Sequence, residues 1–187
     1  MIINIAFCFD EKVYEPSCVT IASLLDAEKN PDVHYHMYCI SSELFEEHRN
    51  QIRGMIRRRD PESVIQFLEA PTEFKDAHLR EGFSQDTYTA LLMHRLLPSE
   101  DKVIYIDTDT LIKKSLVEMW NIDVDSYRCA GVLGTVNLED SWNELMKYPN
   151  SEDFDGVRGK YINDGVLIIN LKRMREWNPD ALFLKLS

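Results

Sequence analysis

A layered α/β fold, with helices packed on a largely parallel sheet, is predicted for this chain by three observations. Short apolar runs rich in β-branched residues alternate with segments of helical periodicity, the mark of a Rossmann-like layer. Val103-Ile104-Tyr105-Ile106 has the near-continuous hydrophobicity of a strand buried in a parallel sheet. The 187 residues, 44% of them hydrophobic, suffice for one domain with its own core over residues 1–187.

The elements follow in order. Ile2 to Phe9 reads as a strand ending at Asp10. Pro16 suits the first turn of a helix, where its missing N–H costs nothing; Val19, Ile21, Ala22 and Leu25 are expected on that helix's inner face. Val33 to Ile40 is a second strand, and Ser41-Ser42 is the expected cap of the next helix. Leu44, Phe45, His48, Ile52, Met55 and Ile56 fall at helical spacing. Arg57-Arg58-Arg59 ends that helix, where cations favour the helix dipole. Val64 to Leu68 is a third strand, and Thr87 to Leu97 a helix stopped by Pro98 before the strand that leads to Asp107. A short turn at Leu116-Val117-Met119-Trp120 follows, then strand Cys129 to Leu133 and a polar stretch from Asn137 to Lys160. Strand Gly165 to Leu171 and a helical start near Pro179 close the chain. Leu184-Lys185-Leu186-Ser187 reads as an unfinished amphipathic helix, so a fragment of a larger protein is expected.

Composition excludes several functions. Thirty-two acidic against 21 basic residues give a formal charge of −11, which argues against a nucleic-acid binder. Cys8, Cys18, Cys39 and Cys129 are scattered without C-x-x-C; Cys8 and Cys39 fall in strands, as buried small hydrophobes of a reducing compartment do. No apolar run approaches the roughly 18 residues of a transmembrane segment, and no basic region precedes the first strand. A cytoplasmic protein is therefore expected. His34 and His36 share a strand face with no third ligand nearby in sequence, which favours surface roles, and His48 and His94 fall on helix faces. G-x-S-x-G, G-x-x-x-x-G-K-[ST] and G-x-G-x-x-G are all absent.

The chemistry concentrates in Asp107-Thr108-Asp109. Ligand sites in open α/β sheets gather at the carboxyl ends of strands, where this pair sits. Residues i and i+2 of an extended chain face one side, and converging carboxylates repel unless a cation lies between them. A hard divalent ion, Mn²⁺ or Mg²⁺, fits such oxygens, with open positions left for phosphate and water. A solvated strand exit is the plain alternative. Asn163-Asp164-Gly165 before a strand reads by itself as a structural turn. Asp107-Thr108-Asp109-Thr110 also fits the D-x-D-x-[TV] of aspartate-nucleophile phosphatases of the haloacid dehalogenase type. That motif normally opens its domain; here a hundred residues precede it and no G-D-x-x-x-D follows.

Four ordered blocks together resemble glycosyltransferase family 8, which includes lipopolysaccharide galactosyltransferases and glycogenin. They are Asn4 to Asp10 with Ser17-Cys18-Val19 to Ser23-Leu24-Leu25; Thr87-Tyr88 with Leu96-Leu97-Pro98; Asp101 to Leu111 with Leu116 and Trp120; and Ile162 to Leu171. The resemblance implies a GT-A type nucleotide-diphospho-sugar transferase fold, a UDP-sugar donor, Mn²⁺ and a glycan or lipid-glycan acceptor. It implies that Asp107 and Asp109 hold the metal, with the Thr108 backbone near the ribose. It further implies Asp10 at the uracil imide beside Cys8, and a sugar pocket shaped by Asn163, Asp164 and Gly165. The arginine usual in the donor helix is Ala90 here, Lys12 and Val13 replace an Asn and a Tyr after the first Asp, and a sugar-binding Asp falls near Gly134. The family's later D-Q-D and His-bearing segments, with the third metal ligand, would lie beyond Ser187. The expectation is the amino-terminal portion of a retaining glycosyltransferase, its carboxy-terminal part absent, inactive by itself and with no catalytic residue assigned. A silent nucleotide-binding relative is the alternative.

Overall fold

The apolar runs do become strands. The computed structural model describes residues 1–72, 89–134, 143 and 162–179. Among these, β1 (Ile2–Cys8), β2 (His34–Ser41), β3 (Val64–Glu69), β4 (Lys102–Ile106), β5 (Cys129–Leu133) and β6 (Ile162–Asn170) form one sheet in the order β3-β2-β1-β4-β6-β5. β1 pairs parallel with both β2 and β4, and β2 with β3. β6 runs antiparallel to β4 and to β5, so the sheet is mixed rather than parallel throughout. The chain moves outward from β1 to β3 and returns to the other side of β1 with β4. That reversal makes a topological switch point at the carboxyl ends of β1 and β4, the place where open α/β sheets bind ligands.

Helices cover both faces: α1 (Tyr14–Ala27), α2 (Glu46–Arg59), α3 (Met93–Leu96), α4 (Val117–Trp120) and α5 (Leu171–Trp177). One core packs α1 and α2 on Ile3, Ile5, Phe7 and Met37, through Ile21, Leu24, Ile52 and Ile56. The opposite face packs Ala6, Tyr38, Val103 and Tyr105 against Met93, Leu97 and Leu171. Along β1 the side chains alternate between these cores, Ile3, Ile5 and Phe7 in the first and Ala6 and Cys8 in the second, as a period of two requires.

Several local expectations change. The inner face of α1 is Ser17, Thr20, Ile21, Leu24 and Leu25, while Val19 is 59% exposed. Ser41 belongs to β2, and α2 begins at Glu46 after Phe45, with no side-chain cap. Asn163, Asp164 and Gly165 lie inside β6 rather than in a turn before it. β6 ends at Asn170, whose side chain accepts the Arg173 N–H at 3.0 Å and so caps α5, a helix the periodicity did not reveal. α5 ends at Asn178, left-handed at φ 50°, ahead of Pro179. From Ala90 the expected helix is a 3₁₀ turn (Ala90–Leu92) leading into α3; Thr87 and Tyr88, the polar stretch except Asn143, and residues 180–187 lie outside the described residues.

Arg175 fastens α5 to the start of β4. Its guanidinium donates to the carbonyls of His94, Leu97 and Glu100 at 3.5, 3.4 and 3.0 Å, and to Asp101 Oδ1 at 3.1 Å. The expected surface histidines have structural partners, His34 with Asp60 and His36 with Tyr38 and Gln66. Among the described residues, no helix is long and apolar enough to cross a membrane.

Candidate functional site

β4 stops at Ile106 because the chain turns: the Thr110 N–H donates to the Asp107 carbonyl at 3.2 Å. Asp107 and Asp109 therefore sit at two positions of a turn, not on an extended strand. Two hydroxyls of α1 fix that turn. Thr20 Oγ1 donates to the Thr108 carbonyl at 2.7 Å, and Ser23 Oγ accepts the Ile112 N–H at 2.9 Å. The Asp107 N–H extends the β4–β6 ladder by donating to the Gly165 carbonyl at 2.7 Å.

The Asp107 carboxylate is held from two sides. The Tyr105 hydroxyl donates to Oδ1 at 2.6 Å. A Cβ on residue 165 would stand 3.0 Å from Oδ2 and 3.2 Å from Asn163 Oδ1, so a larger residue there would press on both side-chain oxygens. Asn163 Oδ1 accepts the Gly165 N–H at 3.0 Å, which orients the amide toward the same spot.

Burial raises the proton affinity of Asp107; the Tyr105 hydrogen bond opposes this, and the negative charges of Asp109 and Asp164 add to it. Burial pushes the Tyr105 phenol far above its ordinary value, with Cys8, Asp107 and Asp164 contributing. Cys8, Tyr105, Asp107, Asp109 and Asp164 thus form one electrostatic cluster with an excess of negative charge. A hard cation on the carboxylate oxygens of Asp107 and Asp109 fits that donor set and would relieve the repulsion. Among the described residues, no group of three or more His, Cys, Asp and Glu side chains is arranged to hold a metal.

Asp10 follows the end of the neighbouring strand β1. The register Ala6–Tyr105, continued two residues, brings Cys8 level with Asp107 and leaves Asp10 just beyond the end of β1. Asp10 Oδ1 accepts the Lys12 N–H at 2.9 Å and caps the 3₁₀ turn Glu11–Val13. That turn is clamped to the segment leading into α2: the Glu11 N–H donates to the Glu43 carbonyl at 2.9 Å, and Glu11 Oε2 accepts the Phe45 N–H at 3.0 Å. His48 pairs with Glu11 and stacks on Tyr14 with ring centroids 3.8 Å apart. Tyr14 also donates to Gln51 at 2.7 Å, so its ring is committed to α2.

The structure brings Asp107, Asn163 and Gly165 into contact and sets Cys8, Asp109 and Asp164 around them. Thr108 is buried and contributes its backbone, while Asp10 stands apart at the neighbouring strand end. A cleft of about 1090 Å³ on the α3 and α5 side runs from Asp107 and Asp164 past Tyr105 to Arg128 and Trp177, with Ala90 in its wall. Sequence reading missed Tyr105 and Thr20. Tyr105 was accessible in principle, because it lies two residues before Asp107 on the same strand face.

The family model described as Glycosyl transferase family 8 matches residues 4–186. A putative glycosyltransferase of Haemophilus influenzae is 38% identical over 92 residues, 49% of this chain and 26% of that protein. General stress protein A of Bacillus subtilis is 30% identical over 118 residues, 61% of this chain and 38% of that protein. Among solved structures, the galactosyltransferase LgtC in complex with donor and acceptor sugar analogues superposes with a TM-score of 0.80 at 23% identity, covering 98% of this chain and 64% of that one. The glycosyltransferase GlyE of Streptococcus pneumoniae gives 0.64 at 17%, covering 98% of this chain and 37% of that one. The mixed sheet with its helices is the GT-A-like fold of LgtC. This chain spans less than two thirds of the length of each of these relatives.

Proposed function

The chain belongs to glycosyltransferase family 8, and from that premise we propose that it is the donor-binding portion of a retaining transferase that moves a hexose from a UDP-sugar to a glycan or lipid-glycan acceptor. The observation that carries this reading is the Asp107 carboxylate, held by the Tyr105 hydroxyl and closely approached by Gly165 at the switch point. Asp107 and Asp109 hold Mn²⁺ or Mg²⁺, which when bound neutralises charge gathering on the departing diphosphate. Asp10 accepts from the uracil imide N–H, with Cys8 alongside. The Thr108 backbone, anchored by Thr20, meets the ribose. Asn163, Asp164 and Gly165 shape the space for the sugar, with Gly165 admitting close backbone approach. The phosphatase reading of Asp107 draws no support from the family match.

A silent nucleotide-binding relative is a second reading because Ala90 stands in the cleft wall at the position where the resemblance leads one to expect an arginine. A competition series separates the base from the phosphates. With Mn²⁺ present, UDP should displace a fluorescent UDP-sugar analogue at least about tenfold better than GDP, ADP or CDP, the discrimination expected of one lost charge-assisted hydrogen bond. Equal displacement by all four removes the uridine assignment. UDP-selective binding together with no transfer to any acceptor by the full-length protein would favour the silent relative.

A further inference from the structure

Both oxygens of Asp107 are defined by named neighbours. Oδ1 accepts the Tyr105 O–H at 2.6 Å, the length of a charge-assisted bond. Oδ2 faces Gly165, where a Cβ would come within 3.0 Å, so the glycine is what leaves that oxygen uncovered. The Tyr105 ring is not free to turn away. It is 6% exposed and belongs to the core of Ala6, Met93, Val103 and Leu171. Its hydroxyl reaches Asp107 because the two residues share one face of the strand and its exit.

We infer that Tyr105 makes Asp107 a one-oxygen ligand and thereby sets which divalent cation the site accepts, favouring Mn²⁺ or Mg²⁺ over Ca²⁺. The inference rests on the reading of Asp107 as a metal ligand. Mg²⁺ demands near-ideal octahedral geometry and is bound through only one or two carboxylates, with waters filling the rest; Mn²⁺ favours a similar octahedral oxygen set. Ca²⁺ gathers about six to eight oxygens and often takes two from one carboxylate. The Tyr105 hydrogen bond fixes the plane of the Asp107 carboxylate inside a packed core, so turning it to present both oxygens to one ion strains that short bond. Without the hydroxyl, the carboxylate is free to rotate and offer both. Tyr105 is a positioning residue, since it acts through Asp107 alone.

The test is Tyr105→Phe, which keeps the ring and its packing. Mn²⁺ binding to the 187-residue chain with UDP present is read from the loss of the free-ion electron paramagnetic resonance signal. Ca²⁺ binding is read from the Mn²⁺ it releases. The variant should bind Mn²⁺ roughly 10–100-fold more weakly, the usual effect of losing an outer partner of a metal ligand. Ca²⁺ should bind at least as well as to the native chain, so the Mn²⁺/Ca²⁺ preference narrows. Gly165→Ala crowds Oδ2 and should weaken both cations with the preference unchanged. If Tyr105→Phe leaves the preference as it was, whether affinity falls or not, the role of Tyr105 is overturned while Asp107 stays a ligand. If the native chain binds no Mn²⁺, the ligand reading fails and this inference with it.

Discussion

Thr20 in α1 donates its hydroxyl to the carbonyl of Thr108 at 2.7 Å, joining the first helix to the acidic turn across the switch point. Thr20 is 1% exposed, so no water replaces the bond if it is lost. Thr20→Val keeps the shape and leaves the Thr108 carbonyl unpaired, which should cost about 1–3 kcal/mol of stability. Urea unfolding checks this. UDP affinity should fall as well, because the turn loses its anchor; an unchanged unfolding midpoint would show that the turn holds itself.

Asp107→Asn should raise, not lower, the melting temperature of the metal-free protein at neutral pH. The native carboxylate has a folded proton affinity above its unfolded one, chiefly through burial, with Asp109 and Asp164 adding to it. Its ionisation therefore costs stability as pH rises through the ordinary carboxylate value toward the folded one, and the cost is absent below both. Asparagine removes the charge and still accepts from Tyr105. Calorimetry in chelator at pH 7 should find the variant at least as stable as the native protein. A clear drop would mean that the carboxylate is stabilising as it stands.

Acid should act in the opposite sense at two other carboxylates. Burial alone would raise Glu28, but the Ser115 hydroxyl, the amides of Asn30 and Lys29 and the Tyr35 phenol hold it below its usual value. Burial likewise works against Asp60, which the Ser63 hydroxyl, His34 and the Glu62 amide pull down. Both contribute stability above their unfolded values, near pH 4, and that contribution is lost as pH falls through the lower folded values. Both are largely solvent-screened, so the effect is modest. Glu28→Gln with Asp60→Asn should flatten the fall of melting temperature below about pH 4; an acid limb as steep as the native one would contradict this.

Asp10→Ala should weaken UDP about tenfold or more through the lost charge-assisted contact, while removing only a small cap from Glu11–Val13. Glu11 keeps that turn on the segment before α2 through Phe45 and Glu43, so the fold should persist. Native UDP affinity in the variant would take Asp10 out of the site.

The central strands were legible because their runs are apolar enough to need burial on both faces, and β4 with its acidic end was the clearest of them. What the sequence hid was non-local. Nothing in Asn163-Asp164-Gly165 reveals that β6 will pair antiparallel with β4, yet that pairing turns a turn-like tripeptide into a strand against Asp107. Val19 looked like the inward residue of α1, but the Thr108 carbonyl needs a donor, and Thr20 takes the buried position instead. Asn170 could have announced α5, since a cap residue at a strand end starts a helix directly. The expected convergence of Asp107 and Asp109 on a strand gave way to a turn because the backbone bonds Thr110 back to Asp107.

Calorimetric titration of UDP with and without Mn²⁺, on the native chain and on Asp109→Asn, tests the central assignment most directly. Asp107 and Asp109 are the only protein ligands assigned to the ion, so the native chain should bind UDP measurably tighter with Mn²⁺ and the variant should lose most of that gain. Equal UDP affinity with and without Mn²⁺, or a gain that Asp109→Asn leaves intact, would contradict the assignment of the acidic turn as the metal site.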